Sequence, residues 1–278
     1  MTNAIMALRP SGPLGRQWFP ASTQADIRDA PASARLLGRD LVFWRSPNGA
    51  VVAAPDRCTH SKWELSKGEV HDGCLVCPKH GWTFGDAGRC VAKPSNLPIS
   101  ERAHLTTHPS AERYGLIWVS LDEPTAPIID IDWDTDERFR RIFTSASVWQ
   151  ANAIRIVETL LSQSDSAFGD AQVDVPFFLQ GTLKSQDGAM HHRLVSCTPG
   201  GGRTSVVTTV LWTTNRSEAE DAKIVDQATA DLLRIKEAAE QDGGLAPAAD
   251  IASNNPLAPS VTEWRSRFSD FVGQPAAQ

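Results

Sequence analysis

The 278-residue chain contains no run approaching eighteen uninterrupted apolar residues, so no membrane-spanning helix is expected. It lacks an export signal as well: Met1 to Pro20 carries Arg9 and Arg16, but no apolar core ahead of a small-residue cleavage site. Internal repeats, the P-loop glycine pattern and the dinucleotide fingerprint are absent, which removes support for nucleotide cofactors. There is no excess of basic charge. Lys and Arg number 27 against 33 Asp and Glu, and the resulting net charge of −6 argues against phosphate-driven nucleic-acid binding and against an anionic membrane surface. Cysteine is scarce, at five residues, too few for a disulfide framework in a chain of this length. A cytoplasmic, thiol-reducing location is the expectation, and clustered cysteines there mean metal or redox chemistry more often than structural disulfides.

The remaining composition is that of a folding chain, 41% hydrophobic and 22% charged, long enough for one large domain or two ordinary ones. From Arg39 to Leu121 it reads as short strands and turns. Leu41 to Trp44, the turn Ser46-Pro47-Asn48-Gly49 and Ala50 to Ala54 form a hairpin signal. Trp82-Thr83-Phe84, then Gly85 to Gly88, then Cys90-Val91 form another, and Gly115 to Leu121 reads as one more strand. Asp122 to Asp136 holds Pro124, Pro127 and several aspartates without periodicity, as a linker would. Beyond it, Val148 to Leu161 and Gly202 to Asn215 have the β-branched, apolar composition of strands. Ser217 to Asp242 shows a helix: a Ser217/Glu220 capping box, Ile224, Ala228, Leu232, Ile235 and Ala239 at helical spacing, and Gly243-Gly244 as terminator. An α+β chain is predicted, with an all-β domain over 1–121, a linker over 122–136 and an antiparallel sheet covered by a helix over 137–278.

Four of the five cysteines, Cys58, Cys74, Cys77 and Cys90, fall within 33 residues, and two of them lie in loops that also supply histidine. Cys58-Thr59-His60 is followed, after sixteen residues, by Cys77-Pro78-Lys79-His80. Two converging loops of this kind can surround a metal centre. A structural zinc accepts two thiolates and two imidazoles in a closed tetrahedron, although zinc fingers normally pair Cys with Cys and His with His. Here each loop pairs Cys with His, as a [2Fe-2S] cluster of Rieske type requires, with two cysteines on one iron and two histidines on the other. Pro78 and Gly81 supply one rigid and one permissive residue for a sharp turn. Cys74, Cys90 and Cys197 read as small core residues.

Along residues 16 to 121 the sequence resembles the Rieske non-haem iron oxygenases, in particular oxygenase components that hydroxylate or demethylate aromatic and related small molecules. The likeness runs through Arg16-Gln17-Trp18-Phe19-Pro20, Val42-Phe43-Trp44-Arg45, Asp56-Arg57-Cys58-Thr59-His60, Leu65-Ser66-Lys67-Gly68, Cys77-Pro78-Lys79-His80-Gly81-Trp82-Thr83-Phe84 and Tyr114-Gly115-Leu116-Ile117-Trp118-Val119. It implies a Rieske [2Fe-2S] cluster on Cys58, His60, Cys77 and His80, and a reductase or ferredoxin as electron donor. Quinol-oxidising Rieske proteins tie their two loops with a disulfide; the matching positions here are Trp63 and Lys79, so that tie is not expected.

In the second half the likeness breaks. The family holds a mononuclear iron there with two histidines and a carboxylate. The matching stretch, Val157 to Asp170, has Asp165 and Asp170 at the histidine positions, and Ser162 where an aspartate links the cluster of one subunit to the iron of its neighbour. Asp165, Asp170 and a carboxylate near Asp226 would make an all-oxygen set, suited to magnesium, calcium or manganese. After His108 the histidines are His191 and His192, adjacent on an expected strand and therefore pointing to opposite faces. The second domain is also short for the family. The resemblance therefore implies an electron-relaying component, a degenerate catalytic-like domain without mononuclear iron, and assembly with a homologous catalytic subunit, the family forming head-to-tail trimers. A self-sufficient oxygenase with an atypical iron site and a structural protein with an idle cluster are the competing readings. Phe177, Phe178, Leu179, Val210 and Trp212 read as core rather than pocket lining.

Overall fold

The structure, a computed structural model, describes residues 8–95, 98–163, 171–185, 188–241 and 259–273. It divides into two units, one over Gly15–Pro127 and a second from Ile128 onward with which residues 8–14 group. Short strands build the first unit: β1 Phe19–Thr23, β2 Ala32–Leu36, β3 Arg39–Arg45, β4 Val51–Pro55, β5 Glu69–His71, β6 Cys74–Val76, β7 Thr83–Phe84, β8 Cys90–Ala92, β9 Ser110–Arg113 and β10 Leu116–Val119. They form antiparallel sheets in the orders β1-β10-β9, β2-β3-β4 and β5-β6-β7-β8.

The predicted hairpins are present. β3 pairs antiparallel with β4, and Gly49, at φ +86°, closes the turn by donating its N–H to Ser46 O at 2.8 Å. Leu41 through Trp44 are all buried, as an unbroken apolar run requires of a strand covered on both faces. β7 and β8 form the other hairpin. Val42, Trp44, Val52, Leu75 and Phe84 pack into one core that also contains Cys58, Cys77 and Cys90.

The second unit is a five-stranded antiparallel sheet, β11 Arg140–Trp149, β12 Gln172–Asp174, β13 Phe178–Lys184, β14 Met190–Gly201 and β15 Thr204–Thr213, in the order β11-β15-β14-β13-β12. Helices α1 Asp132–Thr135, α2 Ala153–Ser162, α3 Asp221–Glu240 and α4 Pro259–Gly273 accompany it. Phe177, Phe178, Leu179, Val210 and Trp212 are buried, in the core role expected of them, and so is Cys197 on β14.

Several local expectations are corrected. Val148–Leu161 does not continue as a strand: β11 ends at Trp149, and Asn152 then caps α2 by accepting the Arg155 N–H at 2.9 Å. All of α2 from Ala153 to Leu161 except Arg155 is buried, so its apolar, β-branched composition reports burial rather than sheet. The Ser217/Glu220 capping box does not form. Residues Glu218–Glu220 make a 3-10 turn instead, and α3 starts at Asp221, whose carboxylate pairs with both Arg140 guanidinium nitrogens at 2.7 and 2.5 Å. Gly243 and Gly244 lie outside the described residues. The stretch 122–136 contains α1, and the two units meet in sequence at Pro127/Ile128 within it.

Opposite faces of the β13–β15 ladder carry different chemistry. On one, Trp133 stacks on His192 at 3.7 Å between ring centroids and 6° between planes, Phe139 lies at 4.6 Å, and Thr182 Oγ1 meets His192 Nδ1 at 2.5 Å. On the other, Arg193 reaches Asp231 of α3 at 3.5 Å, with the two side chains 6% and 4% exposed. Arg234 bonds the same carboxylate from the solvent side.

Because that pair is buried, removing one partner leaves an uncompensated charge. Asp231→Ala is expected to destabilise the second unit by about 3–5 kcal/mol in chemical denaturation, whereas Ala at the largely exposed Arg234 costs less than about 1 kcal/mol. Burial lowers the pKa of His192 to about 4, the neighbouring His191 adding to that shift while Asp136 opposes it. As pH falls from about 6.5 the unfolded chain takes up this proton before the folded one. Stability is therefore lost between the two values, by up to about 3 kcal/mol. Denaturant melts over this window should show that loss for the wild type and a flatter profile for His192→Gln.

Candidate metal centre

The loop after β4, Cys58 to Trp63, and the loop joining β6 to β7, Cys77 to Trp82, are built on one template. The Cys58 N–H donates to Trp63 O (2.9 Å) and the Lys62 N–H to Cys58 O (2.9 Å). Nineteen residues later the Cys77 N–H donates to Trp82 O (2.8 Å) and the Gly81 N–H to Cys77 O (3.0 Å). The fifth residue of each loop turns through the left-handed region, Lys62 at φ +57° and Gly81 at φ +63°. Sequence reading singled out Gly81 for this and missed Lys62, because only glycine advertises such a corner.

The template sorts the side chains by depth. Cys58 and Cys77 are 0% and 2% exposed, and the two thiols lie within hydrogen-bonding reach of each other. Burial pushes the Cys77 thiol up, while the backbone N–H groups of Lys79 and His80 pull it down. His60 and His80 stand at the exposed rim with ring centroids 4.8 Å apart. Among the described residues no three His, Cys, Asp or Glu side chains gather at a single ion site. Cys58 and Cys77 come as a buried sulfur pair, and His60 and His80 as an exposed imidazole pair.

Neighbouring residues hold the loops. Asp56 accepts from Ser66 N (2.7 Å) and Ser66 Oγ (2.5 Å), tying the approach to Cys58 to the turn beyond it. Thr59 Oγ1 donates to Ala103 O at 3.0 Å. Gly68 sits where a Cβ would come within 2.0 Å of Val76 O and 3.2 Å of Pro78 Cδ, so the turn that follows Ser66 lies against the base of the second loop only because that position has no side chain. His60 stacks on Trp82 with 3° between the planes, and Lys79 Nζ lies 4.5 Å from the centre of the Trp63 ring. Cys90 is buried and Cys74 half-buried.

A family model described as the Rieske [2Fe-2S] domain matches residues 17–108. The first unit is a Rieske domain. Aminopyrrolnitrin oxygenase PrnD of Pseudomonas fluorescens is 32% identical over 137 residues, 45% of this chain and 38% of that protein. Methylxanthine N1-demethylase NdmA of Pseudomonas putida is 33% identical over 161 residues, 54% of this chain and 46% of that one. The chain thus spans less than half the length of these relatives. In three dimensions NdmB of Pseudomonas putida CBB5 superposes with a TM-score of 0.78 at 18% identity, covering 96% of this chain and 92% of that one. The chain thus shares the fold of NdmB along nearly its whole length.

Outside the Rieske domain, the positions expected to matter are scattered. Asp165 and Asp170 lie outside the described residues. Ser162 ends α2 and donates its hydroxyl to Glu158 O at 2.8 Å. His191 bonds Thr213 Oγ1 at 2.9 Å, while His192 is enclosed by Trp133 and Phe139 on the opposite face, so the dipeptide does not present two imidazoles to one site. Asp226 lies exposed on α3 at the wall of an open cleft of about 1010 Å³, together with His191, Lys223 and Gln227. Two buried acids that the sequence did not single out are in ion pairs: Asp231 with Arg193, and Glu158 with Arg265 of α4 at 2.7 Å. Burial raises the Glu158 pKa against the pull of Arg265 and Arg155. No helix among the described residues is long and apolar enough to cross a membrane.

The matched corners allow a direct test of loop strain. A lysine in the left-handed region costs about 1–2 kcal/mol, against a smaller entropic penalty for glycine. Lys62→Gly should stabilise the Rieske domain by about 0.5–1 kcal/mol. Gly81→Ala, whose Cβ meets nothing closer than Pro94 Cγ at 3.8 Å, should destabilise it by about 1 kcal/mol. Thermal melts of the full chain decide both.

Proposed function

We propose that Cys58 and Cys77 hold one iron of a Rieske [2Fe-2S] cluster and His60 and His80 the other, and that the chain relays electrons as an accessory component of a Rieske oxygenase. The observation that carries the ligand assignment is the sorting by depth: two thiols meet in the core, two imidazoles meet at the rim. When bound, such a cluster supplies one-electron transfer. The protein's part is to exclude water from the sulfur side through Val42, Leu75 and Phe84 and to aim the Lys79 and His80 N–H groups at Cys77 sulfur. Hydrogen bonds to sulfur and solvent exposure are the terms that set the potential. The imidazoles face outward, which makes their side the entry and exit for electrons.

The accessory role is supported by what the second unit offers. Its adjacent histidines divide between opposite sheet faces, Ser162 stands where the family's linking aspartate would be, and Asp221, Asp231 and Glu158 are engaged by arginines. On this reading the mononuclear iron is missing, electrons arrive from a reductase or ferredoxin, and a homologous catalytic subunit, in a trimer-based hetero-oligomer, receives them. Cysteines clustered around a metal centre suit a reducing, cytoplasmic compartment. The open cleft bearing His191 and Asp226 favours a second reading, a self-sufficient oxygenase acting on a small organic molecule at an atypical iron site.

Metal and sulfide analysis of the purified chain separates them. The relay predicts two irons and two acid-labile sulfides per chain, a Rieske-type low-temperature resonance that His60→Ala or His80→Ala abolishes, and no oxygen uptake by the reduced chain alone. A third iron with oxygen consumption would overturn the accessory role. One ion per chain without sulfide would overturn the cluster.

A further inference from the structure

The two loops touch at their buried ends, where the thiols meet, and would be free to splay at the rim like tongs unless something joined them there. Two contacts do. Superposing the loop templates puts Trp63 in register with Trp82, the sixth residue of each loop, and His60 in register with Lys79, the third. Each tryptophan reaches across to the third residue of the other loop: Trp82 stacks on His60 at 4.9 Å, and Trp63 lies under Lys79 at 4.5 Å. The contacts are equivalent by position in the loops, but they are not equivalent chemically. Trp82 grips a proposed ligand, so its contact depends on how that ligand is held. Trp63 and Lys79 are neither ligands nor core residues: Trp63 is 47% exposed, Lys79 is exposed, and each sits in the same loop as a histidine.

We infer that Trp63 and Lys79 form a cation–π brace that fixes the separation of the two imidazole-bearing loops independently of the cluster, making both positioning residues that slow loss of the iron on the histidine side. The inference rests on the proposed ligand set. The attraction of an ammonium group for an indole face supplies the force. Holding the rim in the bound geometry before and after each opening supplies the benefit, because a site that need not reorganise retains its occupant longer. Lys79 precedes His80 directly, so a shift of its backbone carries the imidazole with it. Lys62, at the left-handed corner, immediately precedes Trp63, whose indole meets Lys79 of the opposite loop.

The test measures iron release from the full-length chain to bathophenanthroline. The isolated wild type is first examined for the visible bands and low-temperature resonance of a Rieske cluster; their absence defeats the ligand assignment rather than the brace. With the cluster present, Trp63→Ala and Lys79→Met should each speed release by about 2- to 5-fold, the range for an exposed cation–π pair. The double variant should be no faster than the faster single one. Lys79→Arg, which keeps the cation, should restore the wild-type rate, and Lys67→Ala, outside both loops, should leave it unchanged. A Lys79→Met rate equal to wild type, additive effects in the double variant, or failure of Lys79→Arg to rescue would each overturn the brace. Lys79→Met alters one exposed side chain, so the comparison with Lys79→Arg stands even if Trp63→Ala does not fold.

Discussion

Two backbone hydrogen bonds in each cysteine loop fix where the sulfurs point, and most of the first unit serves to hold those four bonds in place. A loop that closes from Cys N–H to the carbonyl five residues on, and back from the fifth residue to Cys O, turns its first side chain inward and leaves its middle residues outside. Placing two such loops face to face brings thiols together in an apolar interior and imidazoles together in water. The supporting features follow from that demand. Phe84, Leu75 and Val42 dry the sulfur side. Gly68 clears the space beside the base of the second loop, and Asp56 anchors the approach to the first loop through Ser66. None of these residues carries chemistry of its own, and each would be replaceable if the loops did not have to converge.

The sequence made this half of the molecule legible because its determinants are local. A proline, a glycine and a Cys-His spacing act over a few residues, and the hairpin turn at Ser46–Gly49 acts over four. What stayed hidden acts across the chain. Nothing near Trp63 signals that Lys79, sixteen residues on, will lie over its ring, and nothing near Arg193 points to Asp231. The errors in the second half have the same origin. Ile154, Ile156 and Val157 favour strands by propensity, yet an asparagine cap and complete burial make them a helix. Ser217 and Glu220 have the spacing of a capping box, but the acid at Asp221 finds Arg140, brought close by β11, and the helix begins there.

The second unit shows how a sheet-and-helix layer can spend its carboxylates on arginines. Arg140 joins β11 to α3, Arg193 joins β14 to α3, and Arg265 joins α4 to α2. These pairs weld the helices to the sheet and to one another at the points where an acidic side chain would otherwise be free to bind a cation. The histidine dipeptide is similarly committed. Strand geometry sends one imidazole to the face of α3 and the other into an aromatic enclosure whose desolvation keeps it uncharged. Chemistry-bearing residues are thus plentiful in this unit and mostly occupied.

The left-handed corner shared by Lys62 and Gly81 bears on how such sites are recognised at all. The same backbone turn is made once by the residue best suited to it and once by a residue that resists it. The conformation is therefore imposed by the convergence of the loops and tolerated by whichever side chain happens to stand there. A search pattern that required glycine at both corners would pass over this chain, whereas one written on the depth ordering of cysteine and histidine would find it. Between these two loops the shared feature is a geometry, and glycine is only its most comfortable spelling.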